Sequence, residues 1–179
     1  LLALEGLTID DVQLYHFKPD DLVNGFIDNE IDAYVPWEPF AFQSAKLLNE
    51  QITIHDTKSL NSLSFNLISR SADNVLVDKA SCIIEGLTIA IDYIASHPRQ
   101  SKKIVINELQ LSPEFIEWVW PDYIFKLSLN QSLILSIKSQ VIWTVATQMT
   151  NHQDIPNIAH FIDSRAMLKI NPAAVNISR

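Results

Sequence analysis

Apolar and polar residues in the first fifty positions alternate between short extended runs and short helical runs. Residues 12–17 and 31–35 are apolar-rich runs typical of strands, the first with only loose alternation, and Pro36 ends the second. Between them, apolar residues recur at helical spacing at Leu22, Val23, Phe26 and Ile27. A second helix is predicted after Pro36, in the run "PFAFQSAKLLNE". The order strand, helix, strand, helix indicates a parallel sheet with helical crossovers, an α/β arrangement.

Prolines and acidic residues support these helix starts. Pro19 and Pro39 suit the first helical position, where no backbone N–H is needed. Asp20 and Asp21 follow Pro19 and complement the positive end of the helix dipole. Two further strands are expected at residues 51–57 and 62–70.

The rest of the chain is predicted to be mainly helical. Asp73 or Asp78 caps a long helix that reaches toward His97, where Pro98 interrupts. Ser112 and Asn130 are expected to cap two later helices, the second running to about residue 148. Residues 123–129 read as a strand or extended segment, residues 155–163 as a last short helix, and the tail from residue 165 as less regular.

Composition and charge narrow the class of protein. The chain has 179 residues, of which 47% are apolar and 19% charged, and its net charge is −8. These values suit one globular domain, or one and a half, with a real core. Nucleic acid is not an expected partner, because such affinity depends on Lys and Arg neutralising phosphates and no basic stripe is present.

Motifs for catalysis, metals and cofactors are not found. The three glycines are dispersed, which disfavours a phosphate-binding loop, and the five histidines lack metal-ligand spacing. No GxSxG or SxxK nucleophile motif is in a plausible frame. We therefore expect no cofactor, no metal and no enzyme activity. Cys82, the single cysteine, lies in an apolar run and is expected to be a buried, inert thiol.

Trp37 and Glu38 are the most unusual pair in the chain, since they lie between two prolines where a predicted strand ends. In one interpretation, Trp37 covers the core and Glu38 caps the next helix. In the other, they form a ligand wall, because ligands of open α/β sheets bind at the carboxyl ends of strands. An aromatic face supplies apolar or cation–π contact, and a fixed carboxylate accepts a hydrogen bond from an amine or hydroxyl.

Two sequence blocks resemble one family. The run "FKPDDLVNGFIDNEIDAYVPWEPF" is similar to the second lobe of ABC-transporter solute-binding proteins of the nitrate, sulfonate, taurine and thiamine-precursor type. That family has a helix starting "PxD" and then "GxIDAxxxWEPY". The run "VWPDYIFKLSLNQSLILSIKSQVIWTV" is similar to the family's later "WPxYxFxLSLDQSL" pattern. Asn130 replaces the usual Asp there, and Ile142 replaces the alanine of an alanine–Trp pair.

The resemblance implies part of a type II periplasmic-binding fold, in which two α/β lobes flank a cleft and close on a ligand by a hinge motion. Residues 1–60 would be a partial lobe two, and residues 61–70 the hinge and return crossing, with the hinge itself near residues 62–66. Residues 71–179 would be the helical C-terminal part of lobe one. The first half of lobe one, with its serine-rich helix start, has no counterpart here, and the chain opens without Met.

The implied function is the extracytoplasmic or periplasmic solute-binding component of an ABC importer, which binds a sulfonate, amine or pyrimidine-like solute between the lobes. The implied ligand-binding residues are Lys18, Pro19, Asp20, Trp37, Glu38, Ser64 and Asn66. Implied partners are the solute and the membrane permease. Association with the missing N-terminal half or with a second copy is also expected, because exposed strand edges tend to pair.

Two alternatives keep this fold. The first is a ligand-binding sensor domain of a signalling protein, with the same pocket and a different output. The second is an enzyme similar to those of thiamine-pyrimidine synthesis, which would need His16 or His55 in the cleft. A lone histidine is more often structural.

Overall fold

The computed structural model describes residues 2–55, 64–70, 73–152 and 154–177, and helices dominate these ranges. Their α-helices are α1 (Leu22–Ile27), α2 (Phe40–Leu48), α3 (Asn74–Ser96), α4 (Pro98–Leu109), α5 (Pro113–Val119), α6 (Gln131–Ala146) and α7 (Arg165–Ile170). Short 3-10 turns occur at Leu2–Glu5, Ile9–Asp11, Pro19–Asp21, Asn49–Gln51, Trp120–Asp122, Ile158–Phe161 and Pro172–Ala174. The strands are β1 (Leu129–Asn130) and β2 (Val175–Asn176).

Three helix caps predicted from the sequence, at Asp73, Ser112 and Asn130, are confirmed. The Asp73 side chain accepts a hydrogen bond of 2.8 Å from the backbone N–H three residues later and begins α3. Ser112 and Asn130 do the same for α5 and α6, at 3.1 and 3.2 Å. These caps are local contacts, since donor and acceptor lie within one turn, and this is why the sequence predicted them.

The helical content beyond His97 is larger than predicted. Pro98 does interrupt α3, but it also begins α4, because proline at the first position of a helix loses no hydrogen bond. Helix α7 lies in the tail that was predicted to be less regular, so that prediction was wrong. The last short helix was predicted at residues 155–163 and is a 3-10 turn at Ile158–Phe161.

The strand predictions need the largest correction. Residues 12–17 and 31–35 are in neither a helix nor a strand, and the same holds for residues 52–55 and 64–70. The parallel pairing in the described residues joins β1 to β2, with Leu129 opposite Val175. A strand is stabilised by neighbours that its own sequence does not contain. The fold is therefore mixed but mainly helical. Residues 56–63, and with them part of the predicted hinge, lie outside the described residues.

The chain divides into two compact units. Unit 1 comprises Leu1–Leu63 and Leu109–Tyr123, and unit 2 comprises Ser64–Glu108 and Ile124–Arg179. The lobe boundaries predicted from the sequence remain a prediction.

The core of unit 2 lies between α3 and α7. Val77 and Ile84 are seven residues apart on α3 and so share one face, and they pack against Ala166 and Met167 of α7. Lys169 of α7 also donates a 2.6 Å hydrogen bond to Asp78 of α3. Because both of these charged groups are exposed, the apolar contact is the main source of stability here.

Cys82 is on the outer side of the same helix. The thiol is exposed, so the prediction of a buried cysteine was wrong. The apolar run around it suggested burial, but one helix face is enough to make the α3 core, and Cys82 is off the face that carries Val77 and Ile84.

In unit 1, α1 is held against the segment that precedes it. Gly25 is buried, and a Cβ atom at this position would lie 2.6 Å from the Phe17 ring. The ring of Phe26 lies 5.3 Å from that of Tyr34 on the segment that follows the helix. These contacts hold both flanking segments on the short helix. Other buried residues of this unit are Val23, Ser44, Leu48, Ile116 and Val119.

Replacing Met167 with alanine should destabilise unit 2 by about 2–5 kcal/mol, because it removes a buried side chain and leaves a cavity between α7 and α3. Urea unfolding monitored by circular dichroism measures this change. Leu168→Ala is the matched control, since Leu168 is the next residue of the same helix and is 44% exposed, against 8% for Met167. Equal losses for the two variants would contradict this description of the core.

Candidate functional site

Trp37 lies on a tight turn that leads into α2, and its side chain is 63% exposed. The Trp37 carbonyl accepts a 3.0 Å hydrogen bond from the Phe40 N–H, which closes the turn. The Trp37 ring meets the Phe40 ring edge-on, with 5.8 Å between centroids. The interpretation of Trp37 as a cover of the core is therefore wrong. The chain instead holds a large aromatic face in contact with solvent.

Glu38 is tied to the protein by both of its carboxylate oxygens. One oxygen, Oε2, accepts a 3.1 Å hydrogen bond from the Phe42 N–H in the first turn of α2. The other, Oε1, accepts a 2.8 Å hydrogen bond from the indole Nε1–H of Trp118 on α5. The peptide bond from Glu38 to Pro39 is cis. Glu38 thus caps α2, as one interpretation proposed, and also joins α2 to a helix eighty residues away.

Aromatic rings fill the space beside this carboxylate. The Phe42 ring lies 5.4 Å from that of Phe115 and 5.9 Å from that of Trp118. Pairs at these separations and tilted angles are favourable beyond the area that they bury. The turn at Trp37 is therefore supported by a hydrogen bond and by ring packing between α2 and α5.

A charged pair closes the outer edge of this contact. The Lys46 ammonium donates a hydrogen bond to Glu114 and lies 5.9 Å from the centre of the Phe42 ring. The hydrogen bond, with the charge of Lys46, holds the pKa of the Glu114 carboxyl below its usual value. Both side chains are exposed, so this pair adds little to stability.

Lys18, Pro19 and Asp20 lie at the start of the 3-10 turn before α1. Pro19 is the first residue of that turn, as predicted, and Lys18 precedes it with extended backbone. Lys18 and Asp20 are exposed, and Pro19 is half-buried. All three belong to unit 1, as do Trp37 and Glu38.

Ser64 and Asn66 belong to unit 2 and lie on an exposed segment without helix or strand. The Asn66 side-chain amide donates to the Ser64 carbonyl and hydroxyl oxygens, each at 3.3 Å. These two residues therefore satisfy part of their hydrogen bonding with each other.

Unit 2 also contains an open cleft of about 280 Å³ between α3, residues 125–127 and residues 171–174. Its polar side chains are those of Thr88, Asp92, Lys126 and Asn171, and Phe125 supplies a ring. None of the residues predicted to bind a ligand lines this cleft.

The potential metal ligands of the described residues are dispersed. Within them, no group of three or more His, Cys, Asp or Glu side chains is close enough to hold a metal ion. His16 and His55, which the enzyme alternative would use, are exposed. Across the described ranges, no helix has the length and apolar character needed to cross a membrane.

Trp118 is the residue of this site that the sequence did not predict. It lies far from Glu38 in the chain, and its sequence neighbours give only the signal of a short capped helix. A long-range hydrogen bond has no local pattern, so no motif marked it.

Comparison of the chain with protein-family models, with curated proteins and with solved structures found no match.

The hydrogen bond between Glu38 and Trp118 should appear as a coupling energy of about 1 kcal/mol in a double-mutant cycle. Trp118→Phe removes the indole donor and keeps a ring beside Phe42, and Glu38→Ala removes the acceptor. Urea unfolding of the wild type, both single variants and the double variant gives the coupling.

The control cycle pairs Glu38→Ala with Trp143→Phe, since Trp143 is an exposed tryptophan of α6 in unit 2. These two changes should be additive to within about 0.5 kcal/mol. Additivity in the Trp118 cycle as well would show that the hydrogen bond does not stabilise the protein.

Proposed function

We propose that this chain is part of the extracytoplasmic solute-binding component of an ABC importer, with a type II periplasmic-binding fold. The observation that carries the proposal is the fixed, exposed aromatic face of Trp37. It occurs in the block of sequence that resembles the second lobe of such proteins. A large apolar side chain held toward solvent on a supported turn is suited to ligand contact, because little conformational freedom is lost on binding.

Trp37 forms the wall of the site in this proposal, and Glu38 positions it. Loss of the Glu38 carboxylate would free both the turn and α5, since each is hydrogen-bonded to it. A carboxylate has about four lone-pair sites, so two remain for a donor on the ligand. A solute with an apolar or cationic group beside an amine or hydroxyl donor fits this pair. Sulfonates with an amine, small amines and aminopyrimidines meet the description.

The remaining ligand-binding residues of the proposal are divided between the two units. Lys18, Pro19 and Asp20 lie on the same unit as Trp37 and offer a cation, a rigid backbone and a carboxylate. Ser64 and Asn66 offer a hydroxyl and an amide on unit 2, close to the proposed hinge. In this function the protein binds and releases its solute without chemistry and delivers it to the membrane permease.

A ligand panel on the full-length gene product tests the proposal. The panel contains taurine, alkanesulfonates, nitrate, bicarbonate, aminopyrimidines and small amines. A free ligand concentration of a hundred times the dissociation constant stabilises the folded protein by about 2.7 kcal/mol, which raises the melting temperature measurably. At least one member should do so.

Trp37→Ala should then weaken the affinity for that ligand at least ten-fold, about 1.4 kcal/mol, when measured by calorimetry. The unliganded melting temperature should change little, because the ring is mostly exposed. Trp143→Ala, which removes another exposed tryptophan, should leave affinity unchanged. No stabilisation by any ligand, or equal affinity of wild type and Trp37→Ala, would contradict the proposed function or this wall.

A further inference from the structure

The open cleft of unit 2 lies along the second half of α3, where α7 no longer covers it. Helix α3 has 23 residues and α7 has six, so at 1.5 Å per residue they span about 35 Å and about 9 Å. Val77 and Ile84, in the first half of α3, pack against α7. Thr88 and Asp92, in its second half, line the cleft together with Asn171, the residue that follows α7. The cleft is therefore the part of the α3 face that α7 leaves open.

The α3 wall of the cleft carries hydrogen-bond acceptors. Thr88 and Asp92 are four residues apart and so lie on the same face of the helix. The Thr88 hydroxyl donates to the Ile84 carbonyl at 2.9 Å, which leaves lone pairs on its own oxygen. The Asp92 carboxylate has no hydrogen bond or ion pair with another described residue. This wall can therefore bind a ligand's ammonium group.

The other two segments of the cleft supply hydrogen-bond donors. The backbone before Lys126 is held by a tight turn, in which the Lys126 N–H donates a 3.0 Å hydrogen bond to the Ile124 carbonyl. Within the described part of the chain, the Lys126 ammonium is in no ion pair. Asn171 is half-buried, and its side-chain amide, with two N–H donors, has no partner among the described residues. These two side chains can bind a carboxylate.

Two opposite charges that line one cleft without pairing favour a ligand that carries both charges. A simple anion would be attracted by Lys126 and repelled by Asp92, and a simple cation would experience the reverse. At about 280 Å³ the cleft is just below the roughly 300–1,000 Å³ of most ligand pockets, so it suits a small solute. Its apolar lining, which can contact a short aliphatic group, comes from Ile91, Leu127, Ala173 and Ala174.

We propose that this cleft binds a small zwitterionic α-amino acid with an apolar side chain. Asp92 and Thr88 accept hydrogen bonds from its ammonium group, and Lys126 and Asn171 donate to its carboxylate. The side chain of the amino acid contacts the apolar lining. The site lies within unit 2, whereas Trp37 belongs to unit 1, so it does not depend on the function proposed for the Trp37 wall.

A titration with L-valine, followed by NMR of the ¹⁵N-labelled full chain, tests the proposal. Valine should shift the backbone amides of residues 88–92, 125–127 and 171–174 in a saturable way. Isovalerate lacks the ammonium group and isobutylamine lacks the carboxylate. Each should bind about three-fold or more weakly than valine, because each loses one exposed charge contact and is repelled by the other charge. Equal affinity of either analogue, or no saturable shift at these residues, would overturn the proposal.

Charge-removing variants assign each end of the ligand. Lys126→Gln should weaken valine binding about three-fold or more and leave isobutylamine binding no weaker, and Asp92→Asn should do the same for valine and isovalerate. Both side chains are exposed, so folding should be retained. The matched controls Glu85→Gln and Lys138→Gln change exposed residues of α3 and α6 outside the cleft and should bind valine normally. Trp37→Ala should also bind it normally. Unchanged valine affinity in either cleft variant, or weaker binding by Trp37→Ala, would overturn the proposal.

Discussion

The two hydrogen bonds of the Glu38 carboxylate are the contacts that hold α2 and α5 together in unit 1. It accepts one hydrogen bond from the start of α2 and another from the Trp118 indole of α5, so segments far apart in sequence meet at one group. Phe42 packs against rings of α5 beside it, and Trp37 is left facing solvent on the adjoining turn. Glu38 thus has a structural role beside the exposed ring of Trp37.

A second constraint is that the sheet of the described residues has two short strands, so the other strand-like segments of these residues are not paired in it. The α3–α7 contact gives unit 2 an apolar core, whereas residues 64–70 carry apolar side chains that the described structure does not bury. Helices satisfy most of their backbone hydrogen bonds internally, so they need neighbours only for side-chain packing. Strands do not, and their apolar faces then remain exposed. The same physical difference accounts for the helical core of unit 2 and for the exposed apolar side chains of residues 64–70.

The features that were predicted correctly from the sequence are local ones, formed by residues a few positions apart. Asp73, Ser112 and Asn130 were identified as caps because their hydrogen bonds span three residues. Residues 12–17 and 31–35 have strand-like composition but no ladder partner among the described residues, and composition could not reveal that. At the site, the sequence identified Trp37 and Glu38, and left open whether Glu38 is a cap or a ligand contact. Its bond to Trp118 spans eighty positions and has no local signature.

Hydrogen exchange of the tryptophan indole N–H groups tests the central claim most directly. With ¹⁵N-labelled protein and NMR detection, the Trp118 indole N–H should exchange at least ten-fold more slowly than those of Trp37 and Trp143, because it is bonded to Glu38. This protection should disappear in Glu38→Ala, while the other two rates stay the same. A Trp118 indole that exchanges as fast as the exposed ones, or that is unaffected by loss of Glu38, would contradict the account.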